Sequence, residues 1–232
     1  MIEANGFSYE LLYDGGAFTM LKIALPLGGS VKAEAGAMVA MDDTIDVEGK
    51  AEGGVLGGLA RKFLTKESFF MQTLSATRGA GEVLLSPSIL GDLTVIDMDG
   101  SKEYMLQKGG YFASSSDIQI TTKSQGITKG LLSGEGLFLQ RASGRGTLFV
   151  ESFGAIHPMD VPAGRSLIVD NSHLVAWEAS MSYNIEKASG GWISSLTSGE
   201  GVVCRFTGPG RVYIQTRNPG GFAGWLSGYI SK

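Results

Sequence analysis

The chain has little of several things: one cysteine, two histidines and six prolines in 232 residues. The single thiol, Cys204, closes no disulfide within the chain and no Cys cluster holds a metal. That scarcity predicts an intracellular, cytoplasmic setting, where thiols stay reduced. Charged residues make up 18% of the chain, below the roughly 25% of an average domain. The shortfall points to surface covered in a subunit contact. A net charge of −4 argues against nucleic-acid binding through phosphate neutralisation. No stretch approaches the roughly 18 or more apolar residues of a membrane span. The opening residues Met1–Asn5 lack the basic-then-apolar order of a secretory leader.

Catalytic patterns are also scarce. There is no Gly-x-Ser-x-Gly elbow. There is no Gly-x-x-x-x-Gly-Lys-Ser/Thr phosphate loop, and Gly49-Lys50 is followed by Ala51. His157 and His173 sit in different contexts, so nothing in their spacing forms a metal site, and no metal or cofactor is expected. Asp42, Asp43 and Asp46 cluster in a polar stretch that reads as a strand end or loop. Cys204 lies in an apolar run, where a thiol is an inert core residue.

Glycine is what the chain has in excess: 35 residues, or 35/232 = 15%, about twice the usual share. Without a Gly-X-Y period this reads as turns and bulges in a sheet protein. Three segments share one pattern. Glu67–Gln72 precedes Gly79-Ala80-Gly81, Glu135–Gln140 precedes Gly144-Arg145-Gly146, and Glu200–Arg205 precedes Gly208-Pro209-Gly210. Each Gly-x-Gly is followed by an apolar run, and the pairs begin at 79, 144 and 208, so the spacings are 65 and 64. Upstream, Pro26–Val31, Gln107–Phe112 and Pro162–Leu167 each set a glycine turn before an apolar run, the middle copy being more diverged.

Short runs of Phe, Val, Tyr and Ile bounded by Gly are strand signals. Each Gly-x-Gly is expected to be the turn of a hairpin. The chain therefore reads as all-β: three repeated β-sandwich-like units, about 18–98, 99–158 and 159–220, packed with pseudo-threefold symmetry as one compact domain over 1–232, with a short C-terminal tail at 221–232. An insertion from Asp46 to Lys66 carries Leu56, Leu59, Phe63 and Leu64 at helical spacing. Phe222–Ile230 forms a second apolar segment.

The Gly-Gly-x-x-Gly-Gly-Leu loop at 53–59, running through Arg61-Lys62 into Glu67-Ser68-Phe69-Phe70, the Gly81 turn and the Phe222-Ala223-x-Trp225-Leu226 tail resemble one family. It is the family named for the yeast "altered inheritance of mitochondria" proteins, whose bacterial members are largely of unknown function. The chain departs from it at Thr65-Lys66, where members often carry Gly before Glu-Ser. The resemblance implies a fold similar to that of the trp RNA-binding attenuation protein, with internally duplicated β-sandwich units assembling into rings or trimers. It brings no catalytic residues.

The expected role is a non-enzymatic, homo-oligomeric scaffold or binding protein, a trimer or ring. The alternatives are a peripheral membrane protein and a small-ligand or RNA-binding module. The membrane or partner surface would be Leu59, Arg61, Lys62, Phe63 and Lys66 of the 56–66 loop, together with Trp225 of the 222–230 segment, since basic and apolar residues on a short helix suit such a surface. Glu67, Glu135 and Glu200 occupy corresponding repeat positions and form a candidate set of symmetric carboxylates.

Overall fold

The structure is a computed structural model that describes residues 1–51, 70–124, 138–187 and 202–230. The described residues are nearly all β, with one α-helix near the C-terminal end. Two strands come first, β1 (Ile2–Ala4) and β2 (Phe7–Leu12). Three groups of six follow. The first is β3 (Met20–Leu25), β4 (Ser30–Glu34), β5 (Met38–Met41), β6 (Ile45–Ala51), β7 (Phe70–Ala76) and β8 (Gly81–Leu85). The second is β9 (Leu93–Asp99), β10 (Tyr104–Leu106), β11 (Tyr111–Ser115), β12 (Gln119–Ser124), β13 (Phe138–Ser143) and β14 (Arg145–Glu151). The third is β15 (Ile156–Val161), β16 (Ser166–Asp170), β17 (Leu174–Glu178), β18 (Ser182–Lys187), β19 (Val202–Thr207) and β20 (Gly210–Gln215). The helix α1 (Pro219–Ile230) closes the chain.

One pairing scheme serves all three groups. The first, sixth and third strands lie side by side: β3–β8–β5, β9–β14–β11 and β15–β20–β17. So do the second, fifth and fourth: β4–β7–β6, β10–β13–β12 and β16–β19–β18. The halves are then joined between groups. β4 pairs with β11, and β10 pairs with β17, giving two six-stranded sheets. β16–β19–β18 remains a sheet of three strands, and β1 and β2 extend β3–β8–β5 to five.

Three hydrophobic cores lie between successive sheets, and each draws on more than one group. The first sets Leu21, Ile23, Val31, Leu74 and Val83 against Phe112 and Phe149 of the second group. The second joins Ile96, Leu106, Tyr111, Leu148 and Val150 to Val175 and Tyr213. The third surrounds Trp177 and Phe206 and takes in Met105 and Leu139 from the second group. Burial patterns along the strands follow from this. β3 alternates, with Leu21, Ile23 and Leu25 inward, because only one face is covered. β14 is buried at every residue after Arg145, because cores lie on both its faces.

The Gly-x-Gly expectation is corrected here. β7 and β8 do not pair with each other, nor do β13 and β14, nor β19 and β20. At each Gly-x-Gly the chain crosses from one sheet to another rather than turning back in a hairpin. Glycine is required there by close approach. A Cβ on Gly81 would lie 2.4 Å from Thr44, on Gly146 2.8 Å from Ser115, and on Gly210 2.4 Å from Met181. The hairpins are instead β6–β7, β12–β13 and β18–β19.

The upstream alignment slips in the middle copy. The turns at Pro26–Ser30 and Pro162–Arg165 lead into β4 and β16, whereas Gln107–Gly110 leads into β11, one strand later in its group. Glycine turns precede apolar runs at many strand junctions, so this pattern cannot identify which junction it marks.

Candidate binding surfaces

Among the described residues, two places hold several exposed apolar side chains each. The first is the end of the molecule where the groups of strands meet. There Gly91 bridges both Phe18 and Gly154, and Gly154 N–H donates to the Leu90 carbonyl at 2.9 Å. Phe18 and Leu90 are exposed on these segments. Asp92 ties the junction together, accepting from Thr19 Oγ1 at 2.8 Å and from Leu93 N–H at 2.9 Å.

The helix α1 lies at the same end. Asn218 caps it, accepting from Gly221 N–H at 3.0 Å, and Pro219 takes the first helical position, where the missing N–H costs nothing. Asn218 Nδ2 also donates to Ser172 Oγ at 3.0 Å. Ser172 in turn donates to Asp170, and its carbonyl accepts from Gln215 Nε2. Gln215 Oε1 accepts from Phe153 N–H at 2.8 Å, which completes the anchor. Phe222 rests on Phe153 at 5.4 Å between ring centroids, Trp225 stacks on Phe222 at 5.8 Å, and Tyr229 meets Trp225 at 5.0 Å. The rings form a ladder that is largely open to solvent: Trp225 is 58% exposed and Tyr229 68%. The sequence reading treats this segment as an apolar tail. The structure makes it a capped helix with no charged residue and no buried side chain.

The second place is β5, exposed at all four residues, with Met38, Val39 and Met41 among the exposed large apolar side chains. The sequence gives no warning of it, because Met38–Met41 reads as a core strand like Leu174–Trp177.

A buried carboxyl pair is a third feature that the sequence did not reveal. Glu151, at the end of β14, is 2% exposed and hydrogen-bonds to Glu34 at the end of β4. Burial, then the Glu34 charge, pushes the Glu151 carboxyl up to about 9, and burial also raises Glu34. One proton held between the two carboxyls accounts for this. The residues come together only because β4 pairs with β11, which pairs with β14.

Of the sequence candidates, Trp225 stands on the apolar end. Leu59, Arg61, Lys62, Phe63 and Lys66 lie outside the described residues, as do Glu67, Glu135 and Glu200 and the helical spacing at 56–64. His157 on β15 and His173 before β17 are separated by β20, and His173 Nδ1 meets the Gln215 carbonyl oxygen at 2.8 Å. Asp42 accepts from Glu82 N–H, and Asp46 pairs with Arg78 and Thr77. Cys204 is buried in β19, and burial pushes its thiol up to about 11. Among the described residues no group of three or more His, Cys, Asp and Glu side chains is placed to hold a metal, and no helix is long and apolar enough to cross a membrane.

A family model described as Mitochondrial biogenesis AIM24 matches residues 9–217. An uncharacterized protein of Streptococcus pyogenes serotype M6 is 33% identical over 220 residues, covering 92% of this chain and 87% of that one. An X-ray crystal structure of a Streptococcus pyogenes protein is similar at a TM-score of 0.79 and 32% identity, covering 96% of this chain and 99% of that chain.

Proposed function

The chain belongs to the Mitochondrial biogenesis AIM24 family, and from that premise and its geometry we propose that it is a non-enzymatic, homo-oligomeric scaffold that receives a protein partner on its apolar end. The observation that carries this reading is the distribution of exposed apolar surface. Several exposed apolar side chains fall on β5 and several at the Phe18, Leu90 and α1 end, beside well-filled cores. Exposed apolar side chains that gather on one segment mark a contact site. The groups that burial perturbs most, Glu151, Cys204 and Tyr104, all lie inside the body.

Sizing with light scattering on the untagged protein tests the scaffold. A discrete oligomer at micromolar concentration is expected. A monomer across that range refutes homo-oligomeric assembly.

A second reading is favoured by one feature of α1. Phe222, Trp225 and Tyr229 on an uncharged helix suit the headgroup region of a bilayer, where aromatic rings settle. Flotation with zwitterionic and with anionic vesicles separates the two. Co-flotation that Trp225→Ser abolishes would replace the protein partner by a lipid surface, and the Leu59–Lys66 segment would then be the next region to substitute.

A further inference from the structure

Strand pairing within the chain leaves one joint unmade. The second strand of the first group pairs with the third strand of the second group, as Ala33↔Ala113 and Lys32↔Ser114. The second strand of the second group pairs with the third strand of the third, as Leu106↔Ala176 and Met105↔Trp177. The next such joint would need a third strand beyond the last group, and none stands there among the described residues. Among the described residues β16 therefore pairs with β19 alone, and β5, the third strand of the first group, with β8 alone.

We propose that β16 of one copy pairs antiparallel with β5 of a second copy, so that copies of this chain join head to tail. This rests on the homo-oligomeric reading above and names its joint. Burial supports it. The two third strands that have a partner, β11 and β17, are buried at all five residues each, whereas β5 is exposed at all four. Ile168 in the middle of β16 is 52% exposed and Val39 on β5 55%. Open, apolar sheet edges like these invite another chain unless something covers them.

The bulges fix the register. Each third strand slips against its sixth-strand neighbour at the same place, between Tyr111 and Ala113, between Leu174 and Ala176, and between Met38 and Ala40. Ala40 thus stands where Ala113 and Ala176 stand. On the other edge, Leu106 lies opposite Gln140 and Val169 opposite Cys204. Gln140 and Cys204 each precede the sheet-crossing glycine, Gly146 or Gly210, by six residues. Val169 therefore stands where Leu106 stands. The register between copies is Val169 opposite Ala40 and Ile168 opposite Met41, an apolar cross-strand pair. It joins the three-stranded sheet of one copy to the five-stranded sheet of the next. The contact uses different surfaces on the two copies, so it closes as a ring or continues as a fibre.

The test uses Met41→Cys and Ile168→Cys, prepared as separate proteins, with buried Cys204 left in place. Mixed and mildly oxidised, they are expected to give several-fold more disulfide-linked dimer than either alone. Ile168→Lys, which leaves the cores untouched, is expected to shift the wild-type oligomer towards monomer on sizing while its thermal transition is kept. An oligomer that gives no excess cross-link in the mixture, and that Ile168→Lys leaves intact, overturns the joint but not the homo-oligomeric reading. A monomer throughout overturns both. A double variant, Met41→Cys with Ile168→Cys, that cross-links within a single chain shows that the edges close internally and also overturns the proposal.

Discussion

Replacing Glu151 by Gln should change how stability depends on pH. Glu151 is buried between the first two cores and hydrogen-bonds to Glu34. Its carboxyl is pushed up to about 9, first by burial and second by the Glu34 charge. In the unfolded chain it returns to its ordinary value of 4.5. The folded state therefore holds a proton that the unfolded state releases. The contribution to stability is full below about 4.5, declines as pH rises, and is exhausted near 9. One extra proton in the folded state gives a slope of about 1.4 kcal/mol per pH unit, or about 3 kcal/mol between pH 5 and pH 7. Gln keeps the size and stays neutral. Urea denaturation of both proteins at pH 5, 7 and 9 reads the difference, in which the remaining titrating groups cancel. The stability of the variant relative to wild type should rise with pH. Two curves that run parallel across this range would refute a shared, buried proton.

Gly91 has no room for a side chain, since a Cβ there would lie 1.5 Å from the Ser152 carbonyl oxygen. Gly91→Ala should cost about 3 kcal/mol or more in urea denaturation, in the range of severe overpacking. Gly28, with φ +81 and open space around it, should cost only about 1–2 kcal/mol as Gly28→Ala, the conformational penalty alone. Trp177 is fully buried between Tyr183 and Phe206 at 5.1 and 5.5 Å, so Trp177→Ala should lose about 3–5 kcal/mol by the same assay. Cys204 should resist a thiol reagent at pH 8 in the native protein and react promptly in urea, because burial pushes its pKa to about 11.

Much of the strand content was legible. Leu137–Gln140 and Leu148–Val150 read as apolar runs between glycines, and strands stand at Phe138–Ser143 and Arg145–Glu151. Cys204 read as core from its apolar neighbours, and it is buried. The hairpins were misplaced because the Gly-x-Gly signal has two physical sources. Glycine supplies a positive φ in a tight turn, and it also lets one strand pass close to another. At Gly81, Gly146 and Gly210 the second source operates, and the space is taken by Thr44, Ser115 and Met181, which lie 37, 31 and 29 positions before their glycines (81 − 44, 146 − 115, 210 − 181). No local pattern carries that distance. The same limit hid Glu34 and Glu151, which are 117 residues apart in the chain (151 − 34) and meet only through β11.

The sequence units and the sheets are not the same objects, and this explains what remained hidden at the surface. A unit read along the chain supplies two half-sheets, and each six-stranded sheet takes one half from one group and one from the next. Along the chain β5 looks like β17, with Met38–Met41 set beside Leu174–Trp177, and a reading by composition assigns both to a core. In space their fates differ, because β17 has β10 beside it and β5 has no second neighbour among the described residues. Any array built by joining each unit to the next leaves its first and last halves without partners. The apolar edge on β5 and the exposed Ile168 on β16 are thus consequences of the same pairing rule that buries Trp177, and covering them requires nothing beyond that rule applied between two chains.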